Sequence, residues 1–128
     1  MTLLVLDSGG ISRLSRQRQD SAAMISVFKR DGLWPPLVPS VVLVESLSGR
    51  QRDDVLVNRF LKTCDIVEQL PDHLARRAAT LRSLARRGSA VDAVVIAMAE
   101  PGGAVLSSDL EDLRALALHA NDVLVLRA

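Results

Sequence analysis

Four carboxylates of this sequence adjoin or interrupt apolar segments, where charged side chains are uncommon. They are Asp7, Glu45, Asp92 and Asp109. Asp92 is the most informative, because the segment 91–99 contains no other ionisable residue and a buried charge normally needs a partner or a metal. Carboxylates that converge repel one another unless a cation neutralises them, and an all-oxygen ligand set favours Mg²⁺ or Mn²⁺ over zinc. If the fold brings these acids together, we expect them to hold such a cation.

Each of these acids also has a purely structural explanation. Asp7 stands between an apolar strand pattern and a helix, where its carboxylate can accept hydrogen bonds from the first helical N–H groups. Glu45 can lie in a narrow solvated stripe of its helix, and Asp92 can cap the amino end of its own helix. No acid taken alone separates the metal-binding interpretation from these alternatives.

The last acidic motif combines two aspartates with a helix-capping pattern. In the sequence SSDLEDL at positions 107–113, Ser108 and Glu111 have the spacing of a capping box, in which each side chain bonds to the backbone of the other residue. Such a box accounts for Glu111 better than it accounts for Asp109 or Asp112. Both aspartates therefore stay candidates for the cation site.

The elements that must position these acids alternate between apolar strands and amphipathic helices. We predict strands over 3–6, 66–67, 104–106 and 123–126, a very short strand in the Pro-rich segment 34–39, and helices over 11–17, 21–30, 40–47, 53–64, 72–87, 91–99 and 109–119. This alternation predicts an α/β fold, with a mostly parallel central sheet of four to five strands flanked by helices on both faces. Ligands of such sheets bind beyond the carboxyl ends of the strands, where Asp7 and Asp109 fall.

The composition limits the classes of protein to which the chain can belong. Its 128 residues fit one domain spanning residues 1–128. Aromatic residues are only 2% and the net charge is +1, which disfavours both base stacking on aromatic side chains and a global attraction to nucleic acid. The lone Cys64 fits a reducing compartment, and with neither a secretory signal nor an apolar stretch of spanning length we expect a cytoplasmic protein. His73 and His119 are isolated and are expected at the surface.

Four motifs follow one another along nearly the whole chain. They are LVLDS at 4–8, Ser40 five residues before Glu45, DAVVIAMA at 92–99, and SSDLEDL at 107–113. Their order resembles that of PIN-domain ribonucleases, and especially of the VapC toxins of bacterial toxin–antitoxin pairs. Each motif is short, but the ordered set at this chain length is fairly specific to that family.

The resemblance implies that the catalytic acids are Asp7, Glu45, Asp92 and Asp109, with Asp7, Asp92 and Asp109 as metal ligands. One position departs from the family pattern. Many relatives carry another acid one turn before the equivalent of Asp92, whereas this chain has Ser89. We therefore expect a second metal site to be weak.

The resemblance also implies auxiliary residues around the acids. Asp112 is an additional acid, Ser107 stands where relatives place a hydroxyl that bonds within the site, and Ser8 is the small hydroxyl residue beside the first acid. Candidates for steering RNA phosphates are Arg13, Arg16, Arg18, Arg86 and Arg87. Arginine forks match phosphate well, although arginines on helix faces usually form only solvated surface.

A protein of this family would be a metal-dependent endoribonuclease, a hydrolase of RNA phosphodiester bonds that uses Mg²⁺ or Mn²⁺. The resemblance further implies that it acts as the toxin of a VapBC pair, forms a homodimer, and is inhibited by a VapB-like antitoxin. The alternative is a non-catalytic PIN-like module that binds RNA or protein, and Ser89 is the residue that keeps this alternative open.

Other enzymes that gather aspartates at strand ends fit the sequence poorly. A receiver domain needs a lysine after a late strand, and the only lysines are Lys29 and Lys62. A haloacid-dehalogenase-like phosphatase needs a second aspartate two residues after the first, where this chain has Gly9. Neither lysine lies in a P-loop frame.

Overall fold

The computed structural model describes residues 2–128, and its centre is a five-stranded sheet. The strands are β1 (Leu4–Leu6), β2 (Leu37–Pro39), β3 (Asp65–Val67), β4 (Ala104–Ser107) and β5 (Leu124–Arg127). Their order across the sheet is β3-β2-β1-β4-β5, and all neighbouring pairs are parallel. The predicted α/β fold with a parallel central sheet is therefore confirmed.

Within the described residues, seven α-helices connect these strands. They are α1 (Ser8–Ser15), α2 (Gln19–Arg30), α3 (Leu43–Ser46), α4 (Val55–Leu61), α5 (Asp72–Ala85), α6 (Ala90–Ala99) and α7 (Leu110–Ala117). Both α1 and α6 pack on the central strands β1 and β4; α2, α3 and α4 gather around α1, whereas α5 and α7 gather around α6. The helices thus form two layers, one on each face of the sheet, as the alternating pattern predicts.

The core consists of aliphatic side chains between these layers. The three residues of β1 are at most 1% exposed, and α6 is buried along most of its length. The largest fully buried side chains include Leu4, Leu6, Ile11, Leu81, Ile96, Leu106, Leu113 and Leu116. Because β1 and β4 are covered on both faces, their sequences are continuous apolar runs rather than alternating ones.

Several element boundaries differ from the prediction. The segment 40–47 is not one helix capped by Ser40, but a 3₁₀ turn over Ser40–Val42 followed by the short α3. The Ser40 hydroxyl instead donates to the carbonyl of Glu68. Helix α4 begins at Val55 rather than at residue 53, because the carboxylate of Asp54 accepts hydrogen bonds from the preceding loop, at Ser48 and Gly49.

None of the helices in residues 2–128 combines the length and the apolar character that crossing a bilayer requires.

Candidate metal centre

Asp7 lies directly after β1 and begins the site. Its carboxylate caps α1 by accepting the backbone N–H of Gly10 at 2.9 Å, so the predicted capping role is real. The same carboxylate accepts a hydrogen bond from the Ser107 hydroxyl. The residue is only 6% exposed, and burial raises the pKa of its carboxyl. The hydrogen bonds from Ser107 and Gly10 lower this pKa, but each by less than burial raises it. The negative charge of nearby Asp92 raises that pKa further, so the two acids interact.

Ser107, the last residue of β4, links the first acid to the last acidic motif. It is fully buried, and its hydroxyl both donates to Asp7 and accepts the backbone N–H of Asp109 at 3.0 Å. The register of the sheet explains the contact, because Leu6 of β1 lies opposite Leu106 of β4, so the residues that follow them, Asp7 and Ser107, are also neighbours. The Ser107 hydroxyl therefore links the carboxyl ends of the two central strands, β1 and β4.

Gly9 and Gly10 allow α1 to start against β4. A Cβ at Gly10 would overlap the carbonyl oxygen of Leu106, and one at Gly9 would lie 2.7 Å from the backbone nitrogen of Ser108. Glycine is a poor helix former, which is why the sequence predicts a start at residue 11 instead of Ser8. The close approach brings Asp7 to the start of α7.

Asp92 lies in the first turn of α6 and is half-buried, not fully buried as its apolar surroundings predict. Its carboxylate accepts the backbone N–H of Ser89 at 3.1 Å, and the Ser89 hydroxyl accepts the N–H of Asp92 at 3.0 Å. The two residues form a capping box, so Ser89 has a structural role at the start of α6. One oxygen of Asp92 stays free of this cap.

Asp109 and Asp112 complete a cluster of acids with Asp92. Each of the three offers a carboxylate oxygen, and these oxygens all lie within 4.8 Å of one another. Asp109 occupies the N-cap position of α7, yet its exposed side chain makes no capping hydrogen bond. Its carboxylate is therefore available to a ligand, in contrast to the carboxylate of Asp7.

Arg87 partly neutralises this cluster from the α5–α6 turn. Its guanidinium lies 2.7 Å from an oxygen of Asp112 and 3.0 Å from an oxygen of Glu111. The capping box predicted between Ser108 and Glu111 is wrong, because Glu111 pairs with Arg87 and no side chain caps α7. One oxygen of Asp112 is therefore committed to Arg87.

Glu45 lies in α3, outside the cluster. Its exposed side chain lines an open cleft of about 390 Å³ together with Ser8, Ser12 and Ser108. Within residues 2–128 no ion pair or hydrogen bond engages its carboxylate. Because Ser8 follows Asp7 and Ser108 precedes Asp109, the cleft runs from Glu45 to the residues beside the acidic cluster.

The arginines proposed to bind phosphate have different environments. Arg13 is 19% exposed and ties α1 to α2, through a 2.9 Å hydrogen bond to Ser21 and a 3.0 Å ion pair with Asp20. Arg13 therefore has a structural role between α1 and α2, and its binding of phosphate stays a prediction. Arg16 and Arg86 are exposed and have no ion-pair partner in the described chain.

The pairing of Arg87 with Asp112 was not predicted from the sequence, because it links residues 25 positions apart and no local spacing signals it. The capping role of Asp92 was among the structural alternatives, but its partner Ser89 was not identified, although the S-x-x-D spacing is visible in the sequence.

The donor set suits a hard divalent cation. All the ligand atoms of the cluster are carboxylate oxygens, His73 and His119 are exposed, and the thiol of Cys64 has its pKa raised to about 11 by burial. Oxygen-only sites of this kind favour Mg²⁺ or Mn²⁺.

No protein-family model matches the chain, and no curated protein is significantly similar to it. The function is therefore inferred from the site itself.

Proposed function

We propose that the protein is a Mg²⁺- or Mn²⁺-dependent endoribonuclease of the PIN type, acting as a VapC-like toxin. The observation that carries the proposal is the convergence of Asp92, Asp109 and Asp112 within 4.8 Å, beside the buried Asp7, at the carboxyl ends of β1 and β4. Ligands of parallel sheets bind at that edge. The acids of three of the four motifs that resemble the PIN pattern, Asp7, Asp92 and Asp109, support the proposal, whereas Glu45 lies outside the cluster.

In this proposal Asp92, Asp109 and Asp112 hold the cation. Asp7 acts indirectly, because it accepts a hydrogen bond from Ser107, whose hydroxyl also accepts the backbone N–H of Asp109. The cation would supply a Lewis acid that activates water and neutralises charge on the scissile phosphate. The capping box fixes Asp92, so that its free oxygen needs little reorganisation to bind. Arg87 lowers the net negative charge of the cluster. Since Ser89 also stands in place of an additional acid, both features favour one tightly bound ion over two.

Glu45 is the carboxylate best suited to accept a proton. Its side chain is exposed in the cleft, and it carries none of the hydrogen bonds that hold Asp7 and Asp92. A general base must be free to take a proton, whereas a metal ligand must be held in place.

The cleft between Glu45 and the cluster suits an RNA backbone. Five serines line it, namely Ser8, Ser12, Ser15, Ser46 and Ser108. Hydroxyl groups bind phosphate oxygens and 2′-hydroxyls without reading a base, and no aromatic side chain lines the cleft for base stacking. We therefore assign binding chiefly to the sugar–phosphate backbone.

The decisive assay incubates a panel of transfer, ribosomal and messenger RNAs with the purified protein, in Mg²⁺ or Mn²⁺ and separately in EDTA. Asp109→Asn is the best variant, because the Asp109 side chain makes no capping hydrogen bond and we expect its replacement to spare the fold. Asp92→Asn is less informative, since Asp92 also caps α6. The matched control is Asp122→Asn, at the turn before β5 and therefore at the amino ends of the strands instead of the carboxyl ends.

We expect discrete RNA fragments that disappear in EDTA and in Asp109→Asn but persist in Asp122→Asn. Intact RNA under all conditions, with a well-folded protein that still binds RNA, would favour the non-catalytic PIN-like module. The pairing of Arg87 with Asp112 and the absence of an acid at Ser89 are the observations that favour this second candidate.

The resemblance extends the proposal to partners and location. We propose a cytoplasmic homodimer that a VapB-like antitoxin inhibits by covering the acidic cleft. Light scattering on the purified chain tests the dimer, which would have twice the chain mass of 13.9 kDa. Growth arrest on expression in bacteria, relieved by Asp109→Asn, tests the toxin role.

A further inference from the structure

Strand β5 forms one edge of the sheet and pairs only with β4. The backbone N–H groups of Leu124 and Ala128 donate toward β4, to Gly103 and Ser107 respectively. Because strand N–H groups alternate in direction, those of Val125 and Arg127 point to the open edge. Such an edge is a template for one more strand unless the protein covers it.

Apolar grooves flank this edge on both faces of the sheet. On the α7 face, Ala117, Leu118 and Val123 line an open groove of about 570 Å³. On the α2 face, a groove of about 500 Å³ is lined by Met24, Val27, Phe28 and Leu126. Successive side chains of a strand point to opposite faces, so an added strand would place alternate side chains in the two grooves.

Large apolar side chains are left in solvent along the same edge. Leu118 is 84% exposed, Leu124 is 50% exposed and Val27 is 41% exposed. One exposed leucine is ordinary for a protein surface, but a cluster of such residues around unpaired strand backbone marks a binding surface.

The charges on the rims indicate the chemistry of the partner. Each groove carries one acid and one arginine, namely Glu111 with Arg114 and Asp20 with Arg127. Both acids are already paired within the chain, Glu111 with Arg87 and Asp20 with Arg13. Arg114 and Arg127 have no ion-pair partner among residues 2–128, so the rims present two uncompensated positive charges.

We propose that the β5 edge binds an extended, acidic segment of another protein by strand addition. The segment carries apolar side chains at alternate positions for the two grooves, and carboxylates that meet Arg114 and Arg127. A second copy of this chain fits less well, because the rim acids that could meet these arginines, Glu111 and Asp20, are already paired within the chain. The proposal concerns a surface separate from the acidic cleft and does not depend on nuclease activity.

The test selects a random peptide library, displayed on phage, against the full-length protein. We expect enriched peptides with apolar residues at every second position and with Asp or Glu among the remaining positions. A synthetic peptide of the enriched sequence is then titrated against wild-type protein and variants by fluorescence anisotropy.

Two matched pairs of variants identify the surface. Arg127→Pro removes an outward N–H without touching the β4 ladder, and Arg127→Ala removes only the charge. We expect the proline variant to bind at least about tenfold more weakly than the alanine variant, the effect of one lost backbone hydrogen bond. Leu118→Asp should abolish binding, while Leu84→Asp, at another exposed helix leucine, should leave it unchanged.

Three outcomes would overturn the proposal. The first is no enrichment, and the second is enriched peptides with helical instead of alternating periodicity. The third is a dimer of the chain that dissociates in Leu118→Asp, which would mean that a second copy covers β5. Thermal unfolding of each variant shows whether a loss of binding reflects a loss of folding.

Discussion

Replacing Ser107 by alanine tests the hydrogen bond on which the geometry of the acidic site depends. The fully buried hydroxyl donates to the carboxylate of Asp7 and accepts the backbone N–H of Asp109. The alanine variant removes one of the two donors to a buried carboxylate, and the loss of a hydrogen bond to a charged group costs about 2 kcal/mol. The amide of Asp109 is near solvent and can bind water, so the loss of its hydrogen bond to Ser107 adds little to this cost.

For a chain of this length, about 2 kcal/mol corresponds to a fall in melting temperature of roughly 8 °C. Urea denaturation followed by circular dichroism measures the free energy of unfolding, without added metal, for wild type and Ser107→Ala. The matched control is Ser108→Ala, because Ser108 is exposed and its hydroxyl has no hydrogen bond in the described chain. We expect the control to stay within about 0.5 kcal/mol of wild type.

Equal stability of the two alanine variants would refute this reasoning. It would mean that Asp7 does not need the Ser107 hydroxyl, and that the ends of β1 and β4 are held by packing alone. A double-mutant cycle with Asp7→Ala gives the same answer independently, since the two residues should couple by about 1 kcal/mol or more.

Other contacts lead to further predictions. Glu100→Gln should cost about 2 kcal/mol, because Glu100 accepts two hydrogen bonds from Arg77, at 2.8 and 2.7 Å. This ion pair lowers the pKa of Glu100, so its contribution is complete above the ordinary glutamate pKa of about 4.3 and is lost as pH falls through the lowered value. Urea curves of wild type and variant should converge in acid; a constant difference would contradict this assignment. Burial raises the pKa of Cys64 to about 11, so iodoacetamide at pH 8 should react with native protein far more slowly than with urea-unfolded protein, and equal rates would disprove the burial. Gly10→Ala should lower the melting temperature, because its Cβ would overlap the carbonyl oxygen of Leu106; an unchanged value would show that α1 can shift.

The layered fold could be predicted because its signals are local. Continuous apolar runs in β1 and β4 predict strands covered on both faces, and the periodicity of α5 predicts a helix with one buried face. The start of α1 could not be predicted from propensity, because Gly9 and Gly10 are there for close packing against β4. Contact with a distant strand overrides local preference in this case.

The site was predictable only in part. The sequence places Asp7 and Asp109 just after two strands, and both lie at the carboxyl ends of β1 and β4 with Asp92 nearby, whereas Glu45 lies outside the cluster. Their degree of burial was not predictable: Asp92 belongs to an apolar helix, yet its position in the first turn leaves it half-exposed. The pairing of Arg87 with Asp112 depends on how α7 packs beside α6, which no sequence spacing reveals.

Binding of Mn²⁺ by the isolated protein tests the central claim most directly, because it requires neither the natural RNA nor a partner. Isothermal titration calorimetry, with electron paramagnetic resonance of free Mn²⁺ as a second readout, compares wild type with Asp109→Asn and Asp122→Asn. We predict one ion per chain in wild type and Asp122→Asn, and a loss of binding in a folded Asp109→Asn. Absence of Mn²⁺ binding by wild type, or equal binding by all three proteins, would contradict the assignment of Asp92, Asp109 and Asp112 as a metal centre.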